Sequence, residues 1–235
     1  MKKSYCLGLT LGLSIVVAST SANAALVALA DGSFTPAATE ITFSEVMIGT
    51  VNPSYTFDTQ IINFEGYFLG GLGTPTEGVQ LTLDASAQDT FVTADGANPT
   101  SPVLSGTPRF NGSVAVLFSE NVAAVGLDGG YFDAIGGTTI SAYDRLGHTL
   151  GSVTNSGYGI EFFGLGDDSG DAVIAGIQFY ITGNEPAGYA IDNLTFAYDL
   201  DGYTPPNPSV PEPTTMLLFG TGLAGLAAVG RRRKK

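Results

Sequence analysis

The stretch Ala172-Val173-Ile174-Ala175-Gly176-Ile177-Gln178-Phe179-Tyr180-Ile181, then Thr182-Gly183-Asn184-Glu185-Pro186-Ala187-Gly188, then Tyr189-Ala190-Ile191-Asp192-Asn193-Leu194-Thr195-Phe196, decides the fold. Both outer runs are dominated by β-branched and aromatic side chains. The segment between them is built of Gly, Asn and Pro, which punctuate strands. Neither run shows the 3.6-residue periodicity of an amphipathic helix. The same alternation of short Val/Ile/Phe/Tyr/Thr runs and breakers recurs upstream, at 40–44, 60–68, 78–83, 113–118, 122–128, 138–144, 149–153 and 159–164. Ten strands without intervening helices predict an all-β fold, a two-sheet antiparallel sandwich, over residues 25–201. Arg145-Leu146-Gly147-His148 is the expected tip of a hairpin, with Gly147 supplying positive φ.

Composition narrows the partners. The chain has 235 residues, 9 Lys+Arg against 22 Asp+Glu, and 44% hydrophobic residues. Seven of the nine cations lie in the first three or last five positions, so residues 25–210 hold only Arg109 and Arg145 against 21 acidic residues, a formal −19. Such a surface repels phosphate backbones and anionic lipid headgroups, which excludes nucleic acid and favours neutral or cationic partners. The Val, Ile, Phe and Tyr spread through it separate the body from acidic disordered chains.

Both ends read as addresses. Lys2 and Lys3, the apolar run from Leu7 to Ala18 and the small-residue site Ala22-Asn23-Ala24 form a secretory signal peptide over 1–24, so the mature chain is expected to begin at Ala25. Cys6 leaves with it, and the mature chain then has no thiol for disulfides, catalysis or metal binding. At the other end, residues 202–213 form a Pro-rich linker that includes Pro211-Glu212-Pro213. An uncharged apolar segment at 214–230 follows, of transmembrane length at the short end of the range, and Arg231 to Lys235 form a basic cytoplasmic tail. Gly220, Ala224 and Ala228 recur every four residues, a spacing that permits close helix packing.

Val210-Pro211-Glu212-Pro213, the Gly-rich apolar helix and the terminal Arg/Lys cluster together resemble the PEP-CTERM sorting signal. The resemblance implies that an exosortase-type membrane transpeptidase recognises Pro211, Glu212 and Pro213 and removes the tail. The body then passes from the inner membrane to the cell surface or extracellular matrix of a Gram-negative bacterium that makes exopolysaccharide and lives in biofilms. Residues 113–196 also resemble the jelly-roll bodies often attached to this signal, and the closing strand resembles that of galactose-binding-like and carbohydrate-binding sandwiches. A shared sandwich does not carry a shared function.

Candidate chemistry in the body is sparse. Calcium takes several oxygen ligands. Glu45, Asp192 and Asn193 are candidate ligands if the first and last strands lie side by side, although Asp192-Asn193 serves equally well as a turn. Asp167-Asp168-Ser169-Gly170-Asp171 lacks the full calcium-loop spacing and reads better as a solvated loop. A serine triad would need His148, the only histidine, and no nucleophile elbow accompanies it. No catalytic residue is assigned, and the body is expected not to be an enzyme. A glycoside hydrolase, which needs only two placed carboxylates, is the least favoured alternative. Among aromatic residues able to stack on sugars, Tyr131, with Asp133, and Tyr158, near Asn155, are the candidates for a polar and aromatic carbohydrate site. The expected role is therefore a structural or adhesive surface protein, with a carbohydrate-binding module for exopolysaccharide, with or without calcium, as the alternative.

Overall fold

The computed structural model describes residues 26–99 and 101–200. The signal peptide at 1–24, the linker at 202–213, the apolar segment at 214–230 and the basic tail at 231–235 lie outside the described residues. Within them the chain forms two antiparallel sheets and no helix. The first sheet has seven strands: β1 (Leu26–Ala28), β2 (Thr39–Ile41), β5 (Thr90–Ala94), β6 (Pro102–Gly106), β8 (Ala124–Phe132), β11 (Gly159–Asp167) and β13 (Ala190–Ala197). Their order is β1-β11-β8-β13-β6-β5, and β2 shares the β6 side of β13 further along that strand. The second sheet has six: β3 (Ser54–Phe57), β4 (Gln60–Glu65), β7 (Val114–Val122), β9 (Thr138–Tyr143), β10 (Thr149–Thr154) and β12 (Ile174–Ile181), in the order β10-β9-β12-β7-β4-β3.

The expected all-β sandwich is thus the observed one, with differences that have physical causes. The run 78–83 is not a strand: Gly78 and Leu81 donate to the carbonyls of Leu146 and Arg145, so this segment packs as a loop beneath the β9–β10 hairpin. The run 40–44 ends as a strand at Ile41, since Phe43 adopts positive φ and turns its ring into the core. Four strands outside the expected set, β1, β3, β5 and β6, have only three to five residues each. Strands that short carry too few alternations to announce themselves. They make residues 26–111 an integral part of both sheets.

The two sheets close on one main core, with Leu127, Phe132, Phe163, Ile191 and Phe196 from the first facing Ile62, Val116, Phe118, Ile140 and Phe179 from the second. At one end of it four rings meet edge to face. Phe179 lies 5.0 Å from Phe163, 4.6 Å from Tyr189 and 6.4 Å from Phe132, distances at which aromatic pairs attract beyond simple burial. Gly129 makes room for them, because a Cβ there would stand 2.7 Å from the Phe179 ring and 2.9 Å from that of Phe163. Two smaller clusters seal the outer faces: Phe68, Leu81 and Tyr143 over the second sheet, and Leu29 with Ala124, Ala197 and Leu200 over part of the first. All three clusters are drawn from residues 29–200, so this segment holds its own interior.

The β9–β10 tip is clipped by Asp144, whose carboxylate accepts from the backbone N–H of Leu146 and His148 and pairs with the His148 ring at 2.8 Å. Gly147 there has φ 75°, as the turn requires. Burial alone pushes Asp144 up, but the hydrogen bonds from His148 and Leu146 outweigh it and hold the carboxyl below its ordinary 3.8. The hydrogen bond to Asp144 raises His148 above 6.5. The His148 contribution is therefore complete below 6.5 and lost as pH rises through the raised value, whereas that of Asp144 is lost as pH falls through the lowered one. His148→Ala should lower the melting temperature at about pH 5 and leave it unchanged above about pH 9. A gap of equal size at both pH values would contradict the clip.

Candidate functional site

Among the described residues, one part of the outer face of the first sheet is covered and another part is recessed. Leu29, Phe34 and Leu200 lie over one part of it. The other part is a groove with a floor made by the outward positions of four strands. Asp128 comes from β8, Ile160 from β11, Asp192 and Asn193 from β13, and Val103 from β6, while Asp95 and Asn98 from the β5–β6 loop form its wall. The recess measures about 140 Å³. A shallower one of about 70 Å³ shares Asp95 and Gly130 with it and is bounded by Phe110, Tyr131 and Tyr189. Tyr131 and Tyr158 are 55% and 68% exposed, and Ile135 and Ile160 beside them in the chain are also more than half or half exposed. An acid and amide floor with exposed aromatic and aliphatic side chains on its rim is the result.

The local folding that positions these groups can be followed residue by residue. Gly130 brings β8 so close to β11 that a Cβ would fall 2.6 Å from the Gly159 carbonyl oxygen, and its φ of 148° is open only to glycine. That approach carries Tyr131 out of the core phase to the surface. A Cβ on Gly159 would touch the Tyr131 ring at 3.6 Å, so the ring lies against the turn that presents Tyr158. Glu185, itself buried, accepts from the backbone N–H groups of Asp133 (3.0 Å) and Ala134 (3.2 Å), and the Asp133 carboxylate accepts from Ala187 N–H at 3.3 Å. This double latch anchors the strand end behind Tyr131. Burial raises the Glu185 carboxyl, the two N–H donors oppose this, and the adjacent Asp133 carboxylate pushes it further up.

On the floor, Asn193 has φ 48°, a left-handed turn inside β13 that breaks its register against β8 between Asp192 and Thr195. The irregularity places two consecutive polar side chains at the groove. Asn193 donates its amide to Asp128 at 2.8 Å, and Asp192 accepts from Asn98 at 2.7 Å and from the Asn193 backbone N–H at 2.8 Å. Burial is the main cause that raises the Asp192 carboxyl, opposed by hydrogen bonds from Asn193, Ser101 and Asn98 and reinforced by the Asp128 charge. Among the described residues no basic side chain lines the groove. Arg109 donates instead to the Ala94 carbonyl and stacks 4.5 Å over Phe110.

Of the residues singled out from sequence, Asp192 and Asn193 line this groove, Tyr131 lines the shallower recess beside it, and Tyr158 is exposed in the turn next to Gly159, against which the Tyr131 ring lies. Asp133 supports Tyr131 from behind. Asn155 is buried, with its side chain bonded to Thr138 N–H and to the carbonyls of Ala134 and Gly157, so it shapes the loop and faces no ligand. The strand that leads to Glu45 does run beside β13, but the Glu45 carboxylate turns back onto Thr42, accepting from its N–H and hydroxyl at 3.0 Å each. Among the described residues no group of three or more His, Cys, Asp or Glu is arranged to hold a metal ion. Sequence reasoning missed Asp95, Asn98, Val103 and Asp128. The last had a readable signal, an acid on the outward phase of an apolar strand followed by Gly129-Gly130.

A third recess, of about 350 Å³, lies near the end of the other sheet between Tyr67, Gln88, Asn111 and Tyr180. Its rings are half-buried, and the Tyr180 hydroxyl is already paired with Ser141 at 3.2 Å. Phe68, Phe132 and Phe163 are core residues, whereas Tyr131 and Tyr158 are exposed.

No curated protein matches this chain. Residues 209–234 match the PEP-CTERM protein-sorting motif, at the position of the Pro-Glu-Pro, apolar and basic segments. The chain therefore carries the PEP-CTERM protein-sorting motif, which implies processing by exosortase, a membrane enzyme, and with it export, membrane anchoring before processing and then a surface or extracellular location.

Proposed function

We propose that the body is a non-enzymatic adhesive module that binds a hydroxyl-rich, uncharged or cationic exopolysaccharide of its producer along the groove of the first sheet. The observation that carries this reading is the adjacency of the exposed Tyr131, which lines the shallower recess, to the groove with its Asp128 and Asp192 floor and its Asp95 and Asn98 wall, with exposed Tyr158 in the turn beside Tyr131. Sugars present an apolar face to an aromatic ring and a fringe of hydroxyls to acids and amides, and a site for them needs both kinds of group. The acidic floor disfavours uronate-rich or sulfated chains. A non-enzymatic role is supported by the engagement of the acids: Asp192 and Asp128 are tied to Asn98 and Asn193, and His148 is bonded to Asp144.

The test is binding of the Ala25–Val210 body to purified exopolysaccharide from the producing organism, in calcium and in chelator. Saturable binding is expected in both, with Tyr131→Ala and Tyr158→Ala each weakening it about tenfold, the effect of losing one stacking contact of about 1–1.5 kcal/mol. Tyr67→Ala in the other recess should leave affinity unchanged. Binding that survives the double Tyr131→Ala, Tyr158→Ala change would move the site elsewhere. Absence of binding would leave a structural surface role, and polysaccharide cleavage abolished by one carboxylate substitution would make the body a hydrolase.

A further inference from the structure

The polar side chains that line the groove of the first sheet are, among the described residues, Asp95, Asn98, Asp128, Asp192 and Asn193; the others are aliphatic or glycine. A carboxylate has only oxygen to offer, so an amide bonded to one must present its NH2 group. Asn98 does so to Asp192 at 2.7 Å, and Asn193 does so to Asp128 at 2.8 Å. The amide donors of the groove are thereby turned onto its own acids. On the wall, Asp95 accepts from the Ala97 backbone N–H at 3.0 Å. A ligand that settles here meets side chains that chiefly accept.

The charge points the same way. Burial, and after it the Asp128 charge, push the Asp192 carboxyl above its ordinary value against the hydrogen bonds from Asn193, Ser101 and Asn98. Arg109 holds the Ala94 carbonyl, next in the chain to Asp95, but does not line the groove. A sugar hydroxyl asks for a donor as well as an acceptor, and an acetamido group would set its carbonyl oxygen against carboxylates. An ammonium has three donors and no acceptor, and its bonds to carboxylates are charge-assisted. At about 140 Å³ the groove is smaller than the roughly 300 Å³ of pockets that enclose whole ligands, so it takes one substituent of a longer molecule. The neighbouring recess, which shares Asp95 and Gly130 with it, presents the exposed Tyr131 ring to the rest.

We propose that the groove selects a free amine on the sugar: its ligand is a polysaccharide that contains de-N-acetylated hexosamine units, with the ammonium seated among Asp95, Asp128 and Asp192 and the face of the sugar ring against Tyr131. The inference rests on the groove reading of the body and narrows it from uncharged or cationic glycans to cationic ones. A fully N-acetylated chain brings a carbonyl to a floor whose amide donors are already engaged. A uronate brings a charge of the wrong sign. A lysine-rich peptide carries the same ammonium, but its flexible stems offer no flat face to the tyrosine ring.

The experiment measures binding of the Ala25–Val210 body, at about pH 6 and about 0.15 M salt, to β-linked hexamers of glucosamine, N-acetylglucosamine and glucose, and to hexalysine. The glucosamine hexamer should bind about tenfold more tightly than either neutral hexamer, the gain expected of charge-assisted contacts, and more tightly than hexalysine. Asp128→Asn, whose amide oxygen can still accept from Asn193, should bring the glucosamine hexamer down to the level of the glucose hexamer, and Asp95→Asn on the wall should weaken it several-fold. Asp171→Asn removes the same charge from an exposed loop and should leave affinity within about twofold, because salt screens charges beyond about 8 Å. Thermal melts establish that each variant is folded. Equal affinity for the glucosamine and neutral hexamers, still weakened by Tyr131→Ala, overturns amine selection and leaves the groove reading in place. Equal losses in Asp128→Asn, Asp95→Asn and Asp171→Asn, or hexalysine binding as tightly as the glucosamine hexamer, mean attraction by overall charge and overturn it as well. Failure of the glucosamine hexamer to bind also overturns it, and the groove reading then stands or falls with the producer's own polysaccharide.

Discussion

Phe179→Ala should destabilise the body by about 3–5 kcal/mol, a large part of the roughly 5–15 kcal/mol that holds a domain together. The ring reaches from the second sheet into Phe132 and Phe163 of the first and against Tyr189, whose hydroxyl in turn donates to the Phe179 and Gly112 carbonyl oxygens at 2.7 Å each. Its loss removes transfer energy and leaves a cavity that three fixed aromatic neighbours cannot fill. For a body of this size the melting temperature should fall by roughly 10 °C. Phe179→Leu, which keeps most of the volume, should recover much of the loss. A thermal melt followed by circular dichroism decides the matter. An alanine variant within about 1 kcal/mol of the parent would mean that the interior is not organised around this ring.

The second large effect lies at the other end of the chain. Glu212→Ala, in the centre of Pro211-Glu212-Pro213, is expected to block tail removal and leave the protein longer and held in the membrane fraction. The body should be unaffected, since residue 212 lies well beyond Leu200, the last core residue among the described residues. Cell fractionation with an antibody against the body, together with the mass of the released product, separates the outcomes. Normal release of the mutant would remove the motif from the processing step.

How much of this was legible depended on length and on sequence separation. β12 and β13 stood out because each is an eight-residue run made mostly of apolar, aromatic and β-branched side chains, with a Gly, Asn and Pro segment between them. β7 and β8 were visible only in part, since Ser119-Glu120 interrupts the apolar pattern of a strand that in fact continues to Val122. The run 78–83 misled because alternation alone does not distinguish a strand from an extended loop held by hydrogen bonds to a neighbouring hairpin tip. At the groove, Tyr131 and Tyr158 were readable as aromatics set among glycines. Asp95 and Asn98 were not, because they reach Asp192 only through the pairing of β6 with β13, a contact between segments that lie far apart in the chain. Asp167 looked like one more acid in a solvated loop, and its burial follows from two neighbouring strands that no local pattern reveals.

The position of β13 has a consequence for the order of events during export. The last strand among the described residues occupies the middle of its sheet, hydrogen-bonded to β8 on one side and to β6 and β2 on the other. A chain that crosses a membrane from its N-terminus emerges with β8 and β6 separated by an open slot, and no partial product can close the sandwich. Closure waits for residue 197, by which time only a short stretch remains before Pro211. Pairings of such long sequence separation form slowly and leave strand edges uncovered meanwhile. The first sheet can therefore be completed only once residues up to 197 are available, so closure of the body and arrival of the sorting motif at 209–234 fall close together along the chain.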